Sequence, residues 1–484
     1  MNHEAVIAAN RFGLGAAPGE LEVASQDPRG WLLAQLRSPQ PHHPQLAALG
    51  GSDDLLKEYP RWLMKVRAEI GRGVEVSRMG DGDSSGGSRG GGSGGAMSMQ
   101  DRPPPSVEQS FGRHFQPLAA KEVGARLSIA ATTAEPFKER LTWFWSNHFA
   151  VSAVKPTVFA VAGAFEREAI RPHMNGRFTD LLLAAAQHPA MILYLDNNLS
   201  VRSGYRAPLS MGNPNRMRIS GLNENLAREI LELHTLGVNG GYTQADVTAF
   251  ARALTGWTVG GLVNTGFRFE GQRHEPGAQT VLGRGYAQAG QAKGEAILRD
   301  LAAHPATARH LSTKLVRHFI HDDPPPEAVQ RVERAFLESG GDLPAVHAAL
   351  VESPEAWSQP LPKLKQPIEF VASALRAVPP ARETRPEALL FALREMGQRP
   401  FFAPSPQGWP DTAAAWANAD GLWKRIEWST ALAERVGTRV DPLAVAESTY
   451  GPVLSSATRL AITRAESKQQ GLALALASPE FQRR

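Results

Sequence analysis

Between Gly80 and Gly95 the chain is almost entirely Gly, Ser and Asp, and Pro103-Pro104-Pro105 comes shortly after. Such a stretch carries no side chains with which to build a core, so the apolar surface on either side must be covered by the flanks themselves. A flexible segment of roughly 25 residues reaches about 25–30 Å root-mean-square, long enough for the flanks to pack on one another. The sequence therefore divides into an N-terminal helical segment at 1–78, a Gly/Ser/Pro-rich flexible linker at 79–106, and a long remainder. Gly91-Gly92-Ser93-Gly94-Gly95 matches a nucleophile-elbow pattern, but no strand precedes it and no helix comes after it, so the match is compositional.

Both flanks read as helix. Ala5 to Arg11 is broken at Gly13-Leu14-Gly15, Trp31 to Leu36 resumes, and Asp53 to Arg72 is amphipathic. After the linker, Leu118 to Ala131 is Ala-rich, and Glu135-Pro136 opens a helix with Pro in its first turn that runs to Phe149. The stretch from Gly204 to Ser220 is loop-like. Leu222 to Leu236 is a helix stopped by Gly237, and Thr243 caps the next one. Only Trp257 to Tyr286 reads as sheet. Trp257-Thr258-Val259, Phe267-Arg268-Phe269 and Thr280-Val281-Leu282 predict a small hairpin or three-stranded flap. His188-Pro189, His304-Pro305, Ser353-Pro354-Glu355 and Ser478-Pro479-Glu480 each come after an Ala/Leu-rich stretch and predict tight helix–helix joints. In the last two, Ser caps the new helix and Glu favours its positive end. The expected architecture is mainly α: a multi-helix globular array with a β-flap inserted at 257–286. A central helical region at 107–256 and a C-terminal one at 287–484 form one body packed with 1–78.

The same residues exclude several functions. The chain has no cysteine, which removes disulfides, thiol nucleophiles, Cys-ligated zinc and iron–sulfur clusters. Its net charge is only +4, without a Lys/Arg block, so no nucleic acid is expected as partner. No apolar run reaches membrane-spanning length. Met1-Asn2-His3-Glu4-Ala5 carries no export signal, which predicts a cytoplasmic location. Neither a nucleotide nor a haem motif is present, and neither His3-Glu4 nor His274-Glu275 is continued by the second His of a zincin. Any cofactor would be a divalent metal.

Asn223 to Thr235 holds the chain's densest polar chemistry: Glu224, Glu229, Glu232, Arg228 and His234 within thirteen residues. Leu226, Ile230 and Leu233 form one apolar stripe, while Asn225, Glu229 and Glu232 share a second face. On a regular helix His234 lies about 40° from Ile230 and Glu232 about 200° away, so those two cannot chelate one metal from that helix alone. A site therefore needs groups from elsewhere. His148, flanked by Ser146-Asn147 and by Trp143, Phe144, Trp145 and Phe149, is the leading candidate. His274 could close over it from the flap loop, although a solvated turn is the plainer reading of His274-Glu275. Asp196-Asn197-Asn198 offers a helix end facing the loop before Leu222. His318 and His321 share a helix face beside Arg317, where basic groups oppose the dipole, and are read as structural. Gln407-Gly408-Trp409-Pro410-Asp411 is a rigid turn whose Trp plugs the core.

Several of these segments resemble the bacterial family called domain of unknown function 1800. They are Asn10 to Gly15, Trp145 to Phe149, His188 to Met191, Asn223 to Gly237, Gly241 to Val247, Leu254 to Trp257 and Gly408 to Asp411. The resemblance runs from about residue 4 onward and brings no assigned reaction or catalytic residue. It does imply export as an alternative location, and a functional link to an exported sulfatase-like family.

The residues support two readings. In the first the protein is a metal-dependent or acid/base hydrolase-like enzyme on a helical scaffold. Glu229, Glu232 and His148 are catalytic there, Asn147, Arg228, Asn225 and His274 bind, and a metal is held by His148, Glu229, Glu232 and His234. In the second it is a non-catalytic binding or assembly protein. Its polar helix is then structural, with the carboxylates neutralised by arginines such as Arg228, Arg140 and Arg252.

Overall fold

Asn2 caps helix His3–Ile7 by accepting from Ala5 N at 2.8 Å, and the helix it starts runs directly into the core. Ala5 to Ala9 and Phe12 are wholly buried, because small residues let neighbouring helices approach on every side. Phe12 meets Phe137, Phe319 and Trp357 at ring separations of 5.5, 5.9 and 5.6 Å. Truncating such a buried ring to Ala costs about 3–5 kcal/mol. In the computed structural model, residues 2–80, 106–206, 221–261, 265–358, 361–378 and 384–484 are described. The linker read from the sequence falls almost wholly outside the described residues, as does most of the Gly204–Ser220 stretch.

The protein is mainly helical. The flanks of the linker do pack together: Trp62 on helix Ser52–Gly80 stacks edge-on against Phe111 and Phe115 of helix Val107–Thr132, at 5.6 and 5.3 Å. One apolar core spans the first helix, the central helices and residues up to Leu361. A second joins helix Val107–Thr132 to helices Pro367–Ala377, Pro386–Glu395, Ala419–Val436 and Lys468–Ala477. Residues 363–365 and 482–484 exchange backbone hydrogen bonds around the bridge between Leu364 and Arg483. No helix among the described residues is long and apolar enough to cross a membrane.

Three expectations are corrected. The flap is two separate hairpins: Trp257–Val259 pairs with Phe267–Phe269, and Gln279–Val281 turns back on Arg284–Tyr286 rather than joining as a third strand. The helix expected from Leu222 to Leu236 is a short α-helix, Asn225–Glu229, continued by a π-helical turn, Ile230–His234. Similar wide turns occur at Ala8–Phe12 and Glu166–Ile170. Ser353 does not cap the Pro354–Trp357 segment: its hydroxyl donates to Ala349 O at 2.8 Å, and the segment is 3₁₀. The other Pro-bearing joints hold. Ser478 caps helix Pro479–Gln482, while His188 and His304 use Nδ1 to accept from Ala190 N and Ala306 N, both at 3.1 Å.

Candidate functional site

The wide turn at Ile230–His234 inserts an extra residue where the sequence carries its carboxylates, so the regular-helix angles no longer apply there. The apolar residues Leu226, Ile230 and Leu231 remain buried, while Glu229 and Glu232 are half-buried. Among the described residues neither carboxylate is in an ion pair with an arginine. Arg228 instead pairs with Glu224 at 3.1 Å and donates to Gln244 Oε1 at 2.8 Å. Arg140 pairs with Glu369 at 2.7 Å, and Arg252 makes no ion pair among the described residues. Glu232 accepts from the Tyr242 hydroxyl at 3.4 Å. Burial, and then the charge of Glu232, raise the proton affinity of Glu229, with Arg228 opposing them. Burial and Glu229 together push Tyr194 up to about 12.

The residues that lead into the short helix are tied to Asp196. Asn223 donates to Asp196 O at 3.3 Å and its Oδ1 accepts from Asn225 N at 2.9 Å, so Asn225 starts the helix while its own side chain faces solvent. Asp196 adopts a left-handed conformation (φ 57°) and pairs with Lys155 at 2.7 Å. A non-glycine residue held there is mildly strained.

His148 and His234 are buried, and His148 packs against the backbone of the turn. His148 donates from Nε2 to His234 O at 3.2 Å, which leaves Nδ1 as an acceptor without a partner. His310 donates from Nε2 to Leu233 O at 3.1 Å. The His148 ring is 6.0 Å from that of His234 and 6.4 Å from that of His310. Burial first, then the Lys314 cation, holds all three imidazoles neutral, with His234 near 3 and His310 near 4. Burial likewise lowers Lys314 to about 8. Two backbone carbonyls of the wide turn are thus pinned by neutral imidazoles from helices Pro136–His148 and Pro305–Phe319.

His274 is neither a lid nor a solvated turn. It is buried, donates from Nδ1 to Thr255 O at 2.9 Å, and accepts from Lys293 Nζ at 3.2 Å, so it ties the first hairpin to the helix before it. Among the described residues no group of three or more His, Asp or Glu side chains is placed to hold a metal ion, so the metal-dependent form of the expectation has no donor set there.

Asn147 has a different task from the one expected. Its amide donates to Trp409 O at 3.0 Å and accepts from Trp409 N at 2.7 Å, locking Gly408 to Asp411 onto helix Pro136–His148. Gly408 is required at this junction: its φ is +86°, and a Cβ would fall 2.4 Å from Asn147 O. Beyond the loop, Asp411 accepts from His318 Nδ1 at 2.7 Å, and His318 Nε2 accepts from Arg140 at 3.3 Å. Glu369 takes Arg140 and Arg484, with Arg484 Nε 2.9 Å from its second oxygen. His321 turns to Asp323, with Nδ1 3.0 Å from its carbonyl. A second buried network joins Glu166 and Glu139 through Arg171, with Arg126 also on Glu166 at 3.0 Å. Between the networks is a cavity of about 80 Å³ walled by Trp143, Phe401 and Trp409. Trp409 therefore lines a space rather than plugging the core. Sequence reasoning missed Glu166, Glu369 and Arg126, which stand alone in ordinary helical stretches. Only their unusual burial on long charged side chains marks them.

The family described as a protein of unknown function, DUF1800, matches residues 7–483 of the chain. No curated protein and no solved structure matches it.

Proposed function

The chain belongs to the DUF1800 family of proteins of unknown function, and on that premise we propose that it is an acid/base hydrolase-like enzyme working through Glu229 and Glu232. The observation that carries this reading is that Glu229 and Glu232 sit half-buried on one turn, with no arginine paired to either among the described residues, where burial and then the charge of Glu232 raise the proton affinity of Glu229 against the opposing charge of Arg228. A purely structural helix would have no use for that repulsion. In hydrolysis Glu229 protonates the leaving group, and Glu232, steadied by the Tyr242 hydroxyl, takes the proton of the attacking water. His148 is a positioning residue: its bond to His234 O fixes the end of the turn that presents Glu232. Tyr194 feels the charge of Glu229, and Lys155 holds the Tyr194 carbonyl at 2.8 Å while pairing with the left-handed Asp196.

The test tracks the proton and the chemistry together. Carboxyl-carbon NMR of the full protein should show Glu229 titrating above the ordinary glutamate range, and falling back in Glu232→Gln. A panel of chromogenic esters, glycosides and phosphate esters should include members turned over by the wild type and not by Glu229→Gln. An ordinary titration of Glu229, or turnover that survives Glu229→Gln, would return the helix to the structural reading, as would a panel on which the wild type is inert.

A further inference from the structure

The cavity between the two buried ion networks is walled by segments that are far apart in sequence but locked together. Asn147 clamps Trp409, Trp143 and Phe401 form facing aromatic sides, and Gln366 and Gln398 line its floor. Its polar linings have mostly spent their hydrogen bonds on one another. Ser146 donates to Glu166 at 2.9 Å, Gln398 donates to Gln366 Oε1 at 2.9 Å, and Asn147 is used twice by Trp409. Arg126 is the exception. Among the described residues its one ion pair is to Glu166 through NH2, already served by Arg171, and its buried Nε has no partner. Its guanidinium is held flat by the Trp143 ring at 4.9 Å and the Phe401 ring at 5.7 Å.

A guanidinium over an aromatic face with an unused Nε–H is set to donate to an oxyanion. The space of about 80 Å³ would hold about five to eight waters at roughly 10–15 Å³ each, the size of a molecule of a few heavy atoms. We propose that this cavity is a binding site for a small aliphatic monocarboxylate, its carboxylate on Arg126 and its alkyl part between Trp143, Phe401 and Trp409. The assignment is independent of Glu229 and Glu232, which are not among the residues lining the cavity.

The probes are propionate and acetate, with acetamide as the uncharged control and inorganic phosphate as a tetrahedral anion. Each is titrated into the full-length protein and monitored by ligand-observed NMR and by melting temperature. Propionate should bind saturably and raise the melting temperature, while acetamide should do neither. Arg126→Lys keeps the charge on Glu166 but loses the Nε–H, and should weaken propionate by about tenfold or more. Ala403→Leu fills the cavity without touching a charge, and should abolish the effect in a protein that still melts cooperatively. Failure of propionate to bind, equal binding by acetamide, preference for phosphate, or unchanged affinity in both variants would each overturn the assignment, leaving a cavity filled by ordered water.

Discussion

Glu369→Gln is the sharpest test of how the second core is held, because it removes one charge and almost nothing else. The carboxylate is buried, receives Arg140 at 2.7 Å, has Arg484 at 2.9 Å, and accepts from Gln366 N at 2.9 Å as half of a capping box. Burial alone would raise its proton affinity, and Arg140 and then Arg484 reverse this, so it stays ionised. Glutamine keeps the shape and the cap but leaves those guanidiniums facing a neutral amide. Breaking a buried pair from one side costs about 3–5 kcal/mol. At about 2.1 cal/mol/K of unfolding entropy per residue, 484 residues give about 1 kcal/mol/K, so the melting temperature should fall by about 3–5 °C. Lys365 adds a pH signature. Burial lowers its amine to about 7, and Glu369 opposes that shift. The variant's Lys365 therefore releases its proton at lower pH than the wild type's. As pH rises through about 7 the wild type gives up a proton the variant no longer holds, and the gap between them should narrow. Scanning calorimetry from pH 6 to 9 measures both. A drop under about 1 °C, or a gap that widens with pH, would refute this account of the network.

Glu229→Gln should raise the melting temperature at pH 7 and leave it unchanged at pH 4. A carboxyl with raised proton affinity favours the fold while protonated and loses that advantage as pH rises through its titration. In His310→Gln the decline of stability on acidification should become shallower. His310 is held near 4 in the fold against 6.5 unfolded, so each pH unit between those values costs the wild type about 1.4 kcal/mol, a slope read from denaturant titrations. Gly408→Ala should cost at least about 1–2 kcal/mol from the left-handed backbone alone, and should red-shift tryptophan emission as Trp409 comes off Asn147.

Periodicity and caps made most of the helices legible: Thr243 caps with Asp246, Pro136 opens its helix, and Gly237 closes the polar turn with φ +85°. Both flap hairpins lie in the stretch read as β, though three short β-type runs cannot say which pairs with which. The wide turn at Ile230–His234 could not be read, because α and π geometry share one apolar pattern over five residues and tertiary contacts choose between them. For the same reason the sequence could set Glu229, Glu232, His148 and His234 close in thought, while packing left the carboxylates half-buried and the imidazoles buried. Glu369, Arg126 and Glu166 were illegible for another cause. Each looks like a solvated surface charge until a partner hundreds of residues away, or a helix from another segment, closes over it.

The network around Glu369 also dictates an order of events during folding. Arg140 donates to the carbonyls of Asn10 and Gly13, Lys365 reaches Asn10, and Arg376 reaches Gly15 across 361 positions of sequence. Lys363 and Lys365 are then enclosed by backbone bonds to residues 482–484. Arg140 can serve the carbonyls of Asn10 and Gly13 early, but those of Leu14 and Gly15 wait for Ser373 and Arg376 to be made. The closure that joins Leu14 and Gly15 to Ser373 and Arg376 is long-range and comes late. A chain stopped before residue 373 would leave the Leu14 and Gly15 carbonyls without their partners and that turn open to a holding chaperone.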